Sequence, residues 1–257
     1  MNAFPPDPLA GQGGDNGSPL RGSGRLAAAS LGRPGGGHMN ELDLLTLARG
    51  PLLQVALALC AGGILLRLLE TLGLGRKKDI SAPRLNGPGS GWRTIFTRSV
   101  PAPGMLRRDP VTYVGGYVFH LGLFATVLLF APHIALFESL FGVGWPALPS
   151  PLVDALALAS LVALLVLLAH RLTQPVKRLL SGVGDYLAWA LTFLPLLTGY
   201  LAYHHLLFEY TFMLALHILS VELLIVMLPF TKLFHTVSLF VARWYNGDGF
   251  ARKGVAS

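Results

Sequence analysis

Residues 210–239, YTFMLALHILSVELLIVMLPFTKLFHTVSL, form a long apolar stretch that holds only two charged side chains, Glu222 and Lys232. As an α-helix rising 1.5 Å per residue, the stretch would be about 45 Å long, more than the ~30 Å thickness of a hydrocarbon layer. It also contains His217 and His235, and histidine in hydrocarbon is costly unless it has a partner. The stretch therefore predicts a membrane-spanning helix that carries polar chemistry.

The rest of the chain repeats this composition. Of its 257 residues, 53% are hydrophobic and only 13% are charged, about half the charged fraction of a soluble domain. The sequence lacks the alternating pattern of membrane-barrel strands. We therefore predict an all-α membrane protein, a five-transmembrane-helix bundle in which Pro132, Pro195 and Pro229 kink or locally open their helices. The four further apolar stretches lie near residues 46–68, 111–136, 150–170 and 183–206.

The loops predict the orientation of the bundle. Basic residues crowd the first loop, the third loop and the C-terminal segment, whereas residues 137–149 and 207–209 hold no Lys or Arg. Because cytoplasmic loops carry the excess of Lys and Arg, the C-terminus is predicted inside and the N-terminus outside, in a multi-pass protein of the cell inner membrane. These loops explain the net charge of +7, so we predict contact with the lipid bilayer and no nucleic acid partner. The basic residues of the loops are Arg76, Lys77, Lys78, Arg84, Arg93, Arg98, Arg107, Arg108, Arg171, Lys177, Arg178, Arg243, Arg252 and Lys253.

Three regions are predicted along the chain. Residues 1–38 are rich in Gly, Pro, Ser and Asn and hold too few apolar residues to fold. They form a disordered head, or the translation start is misassigned and the chain begins at Met39. Residues 39–245 form the five-helix membrane domain, and residues 246–257 form a cytoplasmic tail. The one cysteine, Cys60, excludes an intrachain disulfide, a cysteine-ligated iron–sulfur cluster and a CxxCH haem attachment site.

The histidines predict the chemistry. The second span carries His120 and His133, the fifth carries His217 and His235, and the two spans run in opposite directions. His120 and His235 therefore fall in the inner half of the membrane, and His133 and His217 in the outer half. Two imidazoles that face each other are the axial ligands of a six-coordinate haem iron. The pattern predicts two haems at two depths of the bilayer.

The spacing of the histidines supports these pairs in part. His217 and His235 are 18 residues apart, which is five helical turns and places them on one face about 27 Å apart. The 13-residue step from His120 to His133 rotates these two off one face of an ideal helix. Pro132 is expected to bend the helix and so to change the direction in which His133 projects.

Two motifs resemble a known family. The FHLGL around His120, the step from His217 to His235 and five spans with an outside N-terminus resemble the gamma subunit of respiratory nitrate reductase. The PFTKLFH that ends at His235 is similar to the related membrane cytochromes of heterodisulfide-reductase-like and dissimilatory sulfite-reductase-linked complexes. The resemblance covers roughly residues 42–245 and implies a dihaem cytochrome b with two b-type haems.

The resemblance also implies partners and ligands. Such a subunit exchanges electrons with the quinone pool and with a cytoplasmic iron–sulfur subunit and a catalytic subunit of a respiratory oxidoreductase. Because the second span departs from the family pattern at His133, His204 and His205 at the outer end of the fourth span are substitute ligands for the outer haem. The terminal substrate (nitrate, a heterodisulfide or a sulfur compound) and the direction of electron flow stay open. Carried over residue by residue, the ligands would be His120 and His235 for the inner haem iron, and His133 and His217 for the outer haem iron.

A haem-free membrane protein, either a transporter or an assembly factor, is the alternative hypothesis. It would use the same histidines as hydrogen-bond or proton-relay groups, although a transporter usually has an internal repeat. Glu222 is interpreted either as a proton relay near a quinone or as an interhelical hydrogen-bond partner. Lys232, His170 and Arg171 are interpreted either as partners of haem propionates or as side chains that reach the cytoplasmic surface.

Overall fold

The computed structural model describes residues 40–75, 82, 84 and 91–255, and all regular structure in these residues is helical. The predicted head, residues 1–38, lies outside the described residues, as do the basic residues Arg76, Lys77 and Lys78. The prediction of an all-helical chain with five long apolar helices is confirmed. The helical segments long and apolar enough to cross a membrane are Glu41–Gly73, Pro110–Leu129, Ser150–Thr173, Val183–Tyr203 and Tyr210–Phe230.

The first span is built from helices α1 (Glu41–Leu47) and α2 (Leu53–Gly73). A capping box starts α1, because the Asn40 side chain accepts a hydrogen bond from the Asp43 backbone N–H at 2.8 Å and Asp43 accepts one from the Asn40 N–H. A π-helical turn over Ala48–Leu52 joins the two helices and contains Pro51. Proline lacks the N–H that an α-helix needs, and a wider turn accommodates it.

The second span is interrupted where the sequence places Pro132. After the short helices α3 (Gly91–Thr97) and α4 (Pro103–Arg108), helix α5 covers Pro110–Leu129. Phe130 is extended, and helix α6 (Ala131–Phe141) then begins with Pro132 in its first turn. The single helix expected near residues 111–136 is therefore two helices, because Pro132 cannot donate to the carbonyl four residues before it.

The carbonyl groups freed at the end of α5 find other donors. The Trp145 indole N–H donates to the Leu128 oxygen at 2.5 Å, and the Leu148 N–H donates to the Leu129 oxygen at 2.9 Å. The imidazole of His133 bonds to the Thr126 oxygen at 2.7 Å. Carbonyl groups at a helix end in an apolar region need hydrogen-bond donors. Because the His133 ring is one of these donors, the break in the helix fixes the position of the ring.

The remaining helices complete the bundle. Helix α9 contains Pro195 without an assigned interruption, whereas Pro229 lies in a 3₁₀ turn, Leu228–Phe230, that follows α10. Thr231 is extended, and a second turn, Lys232–Phe234, leads into the last helix. This helix runs past residue 245, where the sequence suggests that the tail begins. These helices are α7 (Ser150–Thr173), α8 (Pro175–Leu180), α9 (Val183–Tyr203), α10 (Tyr210–Met227) and α11 (His235–Arg252).

The spans pack side by side in the order α5, α7, α9, α10 and α2. The main core lies between α5, α7 and α9. Small residues allow close approach at two crossings: a Cβ on Gly63 would lie 2.6 Å from Pro229 Cγ, and one on Gly91 would lie 2.6 Å from Trp244 Cδ1. The buried core residues are Phe119, Leu161, Ala163, Leu164 and Leu196.

Gly122 is predicted to allow α5 to pack closely against α7 because it has no side chain. A Cβ at Gly122 would meet the Ser160 hydroxyl and lie 2.5 Å from the Leu156 carbonyl oxygen, which is backbone and cannot turn away. We expect Gly122→Ala to lower the stability of the purified protein by about 1–3 kcal/mol through overpacking. The matched control is Gly116→Ala on the same helix, where an added Cβ has no described atom within 4 Å. Equal melting temperatures of the two variants in detergent would contradict this packing.

Candidate functional site

The structure brings together the two histidine pairs that the sequence predicts. The ring centres of His120, on α5, and His235, at the start of α11, lie 6.2 Å apart. Those of His133, on α6, and His217, on α10, lie 6.1 Å apart. Three of the four side chains are half-buried, and His235 is exposed. One pair therefore joins the second span to the helix that follows the fifth, and the other joins the helix that follows the second span to the fifth.

The four rings share one hydrogen-bonding pattern. In each ring Nδ1 lies within hydrogen-bond distance of a backbone carbonyl oxygen. A carbonyl can only accept, so Nδ1 carries the hydrogen and the lone pair is on Nε2. Within the described part of the chain, Nε2 of these four rings makes no hydrogen bond. The bonds run from His120 to Gly116 at 2.7 Å, from His133 to Thr126 at 2.7 Å, from His217 to Pro195 at 3.1 Å and from His235 to Lys232 at 2.8 Å.

Local structure explains two of these positions. His217 bonds across to α9, and a Cβ on Gly199 would lie 2.9 Å from the His217 ring, so glycine makes room for it. His235 bonds within the turn Lys232–Phe234 that interrupts the fifth stretch. The 18-residue step therefore does not run along one ideal helix, and the break at Pro229 decides where His235 lies.

The spacing of each pair fits one metal ion between the rings. An imidazole nitrogen lies about 2 Å from a first-row metal ion that it binds, and the ring centre about 1 Å further, so two rings on opposite sides of an ion have centres about 6 Å apart. The observed distances are 6.2 and 6.1 Å. A metal-binding histidine also usually donates its other N–H to a carbonyl or carboxylate, as all four do here. The residues present therefore fit a haem iron with two axial histidines.

The other membrane-edge histidines have a different pattern. Nε2 of His204 bonds to Asp154 at 2.8 Å, and Nε2 of His170 bonds to Asp109 at 3.0 Å. In both of these histidines, Nε2 thus faces a carboxylate. His205 lies in a turn with φ of +52° and packs against Tyr210 with ring centres 4.8 Å apart. The arrangement leaves the substitute ligands His204 and His205 outside the two pairs.

Carboxylates at the opposite end of the bundle hold the basic residues. Asp185 binds Lys232 at 2.7 Å and Arg171 at 3.4 Å, which are two of the residues interpreted above as partners of haem propionates. Asp109 binds Lys177 at 2.5 Å in addition to His170. The hydrogen bond from the Lys177 ammonium, joined by bonds from Thr112 and His170, holds the pKa of Asp109 well below its usual range.

Glu222 differs from these carboxylates. Its side chain is buried on α10, and its Oε1 has no hydrogen-bond partner among the described residues. Sequence reasoning identified this residue but missed Asp109, Asp154 and Asp185 as partners. The sequence contains one signal for these three partners. Each lies just before a span or within one, beside helix ends that carry Lys and His.

Fold and site together define a helical multi-pass membrane protein with two interhelical histidine pairs. The chain is 32% identical over 209 residues to a protein of Nitratidesulfovibrio vulgaris (strain Hildenborough), and the match covers 79% of this chain and 92% of the relative. The chain therefore belongs to the same family as that protein. No family model matches the chain, and no solved structure matches it.

Replacement of Asp109 is predicted to destabilise the protein in a pH-dependent way. The folded pKa lies below the unfolded value of about 3.9, so the ion pair stabilises the fold above that pH. This contribution is lost as the pH falls through the folded pKa. We expect Asp109→Asn to melt a few degrees below the wild type at pH 7 and to approach it in acid. A difference in melting temperature that stays constant from pH 7 to pH 3 would contradict this role.

Proposed function

We propose that the chain is a dihaem cytochrome b, the membrane-anchor subunit of a respiratory oxidoreductase complex. One observation carries the proposal: two cross-helix histidine pairs with ring centres 6.2 and 6.1 Å apart, in which every Nδ1 faces a backbone carbonyl. At this spacing each pair could hold one ion between its rings. The two imidazoles of each pair would hold a haem iron, which would supply one-electron redox chemistry.

The ligand assignment follows the pairs. His120 and His235 would hold the inner haem iron, and His133 and His217 the outer one. When bound, the haems carry single electrons through the apolar bundle. The protein's part is to fix the tautomer and the orientation of each ring through the carbonyl bonds. These hydrogen bonds from Nδ1 to backbone carbonyls would also make the imidazoles more basic ligands.

The proposed partners lie in and beside the membrane. Quinone or quinol exchanges electrons with the bundle, and a cytoplasmic iron–sulfur subunit connects it to a catalytic subunit. The resemblance of the FHLGL and PFTKLFH motifs to nitrate reductase gamma-like cytochromes supports these partners. Helices α3 and α11, which pack on each other at the end with the basic loops, offer a surface for such a subunit, with Trp92 and Phe96 exposed.

Haem content tests the proposal directly. Membranes containing the full chain are expected to show a reduced-minus-oxidised b-type spectrum, and the purified protein about two haems per chain in a pyridine haemochrome assay. A folded, colourless protein would favour the haem-free transporter or assembly factor instead.

Single replacements of the four histidines then test the assignment. His120→Ala and His235→Ala are expected to lose the same haem, and His133→Ala and His217→Ala the other, because alanine cannot coordinate iron. His205→Ala, at the turn, is the control that keeps both. If His133→Ala keeps both haems while His204→Ala or His205→Ala loses the outer one, the assignment on the second span is wrong.

The orientation is a separate part of the proposal. Basic loops on alternate sides support an outside N-terminus, an inside C-terminus and insertion in the inner membrane. Alkaline phosphatase, which is active only outside the cytoplasm, is expected to be inactive when fused after Ser257 and active when inserted at Gly144. The reverse activities would contradict the orientation.

A further inference from the structure

An apolar groove with a volume of about 740 Å³ lies between α5 and α7 on the surface of the bundle. Its α5 wall extends from Pro110 to Val118, and its α7 wall extends from Ala155 to Val166. Every lining residue is aliphatic, proline or glycine, so the groove offers no side chain for hydrogen bonding. No member of the two histidine pairs lines it. The groove is therefore separate from the candidate functional site and suits an apolar occupant.

The walls of the groove are shorter than the membrane is thick. At 1.5 Å per residue, the α5 wall rises about 12 Å and the α7 wall about 16 Å, whereas the hydrocarbon layer is ~30 Å thick. A spanning helix of a partner would need a surface that follows the whole layer. A lipid acyl chain occupies one leaflet, about half of that thickness. The dimensions of the groove therefore favour an acyl chain.

Positive charge collects at the end of the groove where Pro110 lies. Arg107 and Arg108 end α4, three and two residues before Pro110, and both are exposed. Neither side chain makes a hydrogen bond or an ion pair within the described ranges. The neighbouring carboxylate, Asp109, instead binds Lys177. Two guanidinium groups beside an apolar groove thus have no carboxylate partner.

The short helices at this end have the composition of a membrane surface. Helix α4 exposes Leu106 beside its two arginines, and α8, which follows α7, exposes Leu179 beside Arg178. The ion pair of Asp109 with Lys177 joins the start of α5 to α8, so both short helices lie at the same end of the groove. Apolar side chains next to arginines are typical of segments at the boundary between lipid headgroups and acyl chains.

We propose that the groove binds an acyl chain of an anionic phospholipid, and that Arg107 and Arg108 bind its phosphate. Guanidinium groups recognise phosphate through parallel, charge-assisted hydrogen bonds, and basic pockets between membrane helices bind acidic headgroups. The occupant is thus a lipid of the surrounding membrane. The proposal does not depend on the proposed haems, because no lining residue and neither arginine belongs to the histidine pairs.

Native mass spectrometry of the purified full chain in detergent tests this binding without a signal from any cofactor. Delipidated protein is mixed with equal amounts of phosphatidylglycerol and phosphatidylcholine that carry the same acyl chains, and the bound lipid is identified by its mass. We expect the wild type to prefer phosphatidylglycerol. The double variant Arg107→Gln, Arg108→Gln should lower the ratio of bound phosphatidylglycerol to phosphatidylcholine about 25-fold, because each arginine near anionic lipid strengthens binding about fivefold.

A second double variant separates a defined site from a general attraction between charges. Arg93→Gln, Arg98→Gln removes the same amount of charge from α3 and its end, where no residue lines the groove. Both of these arginines are exposed, and the variant is expected to keep the wild-type ratio. Equal falls in the two double variants would indicate diffuse attraction and overturn the proposal. An unchanged ratio in Arg107→Gln, Arg108→Gln, or no preference in the wild type, would also overturn it.

A bulky side chain in the groove tests where the acyl chain lies. Ala159→Phe on the α7 wall and Val118→Phe on the α5 wall are each expected to abolish most binding of both lipids. Ala58→Phe, at an exposed position on α2 outside the groove, is the matched control that keeps it. Wild-type lipid binding in both groove variants would overturn the proposal. A second copy of the chain or another polypeptide that the wild type retains and both groove variants lose would assign the groove to a protein and overturn it as well.

Discussion

A hydrogen bond from Nδ1 to a backbone carbonyl recurs in all four paired histidines, and the arrangement of the site depends on it. The bond decides which ring nitrogen keeps its lone pair, and it holds the ring in one orientation. The four acceptors are of different kinds: a helical carbonyl one turn back for His120, the end of α5 for His133, a neighbouring helix for His217 and a turn for His235. One chemical requirement is thus met by four local structures.

Two of those structures exist because the helices are interrupted. In an unbroken helix, residues 120 and 133 would project in different directions. The break at Phe130 frees carbonyl groups that an apolar environment does not allow to stay unpaired, and one of them, at Thr126, binds the His133 ring. The interruption at Pro229 and Thr231 acts similarly for His235, whose acceptor is the Lys232 carbonyl. The interruptions at the prolines therefore help to position the rings of His133 and His235.

The spans could be predicted from the sequence because they depend on hydropathy, and the proximity of His120 to His235 and of His133 to His217 could be predicted from the opposite directions of the second and fifth spans. Pro132 was expected to change the direction in which the end of the second span projects, and the break at Phe130 agrees with this expectation. The backbone carbonyl groups that accept hydrogen bonds from the histidine rings could not be predicted from the sequence. The short helices α3, α4 and α8 are missing from the sequence analysis because six or seven residues carry no periodic signal. The bonds of Asp109 to His170 and of Asp154 to His204 join residues 61 and 50 positions apart, and only the packing of α5, α7 and α9 brings these together.

The two ends of the bundle use carboxylates differently, and the distribution of basic residues explains the difference. At the end with the basic loops, Asp109 and Asp185 bind the ammonium groups of Lys177 and Lys232 and the guanidinium group of Arg171. At the other end, formed by residues 130–149 and 204–209, the loops contain no Lys or Arg, and the partner of Asp154 is the imidazole of His204. The distribution of basic residues thus separates ion pairs with Lys and Arg at one end of the bundle from a His–Asp pair at the other.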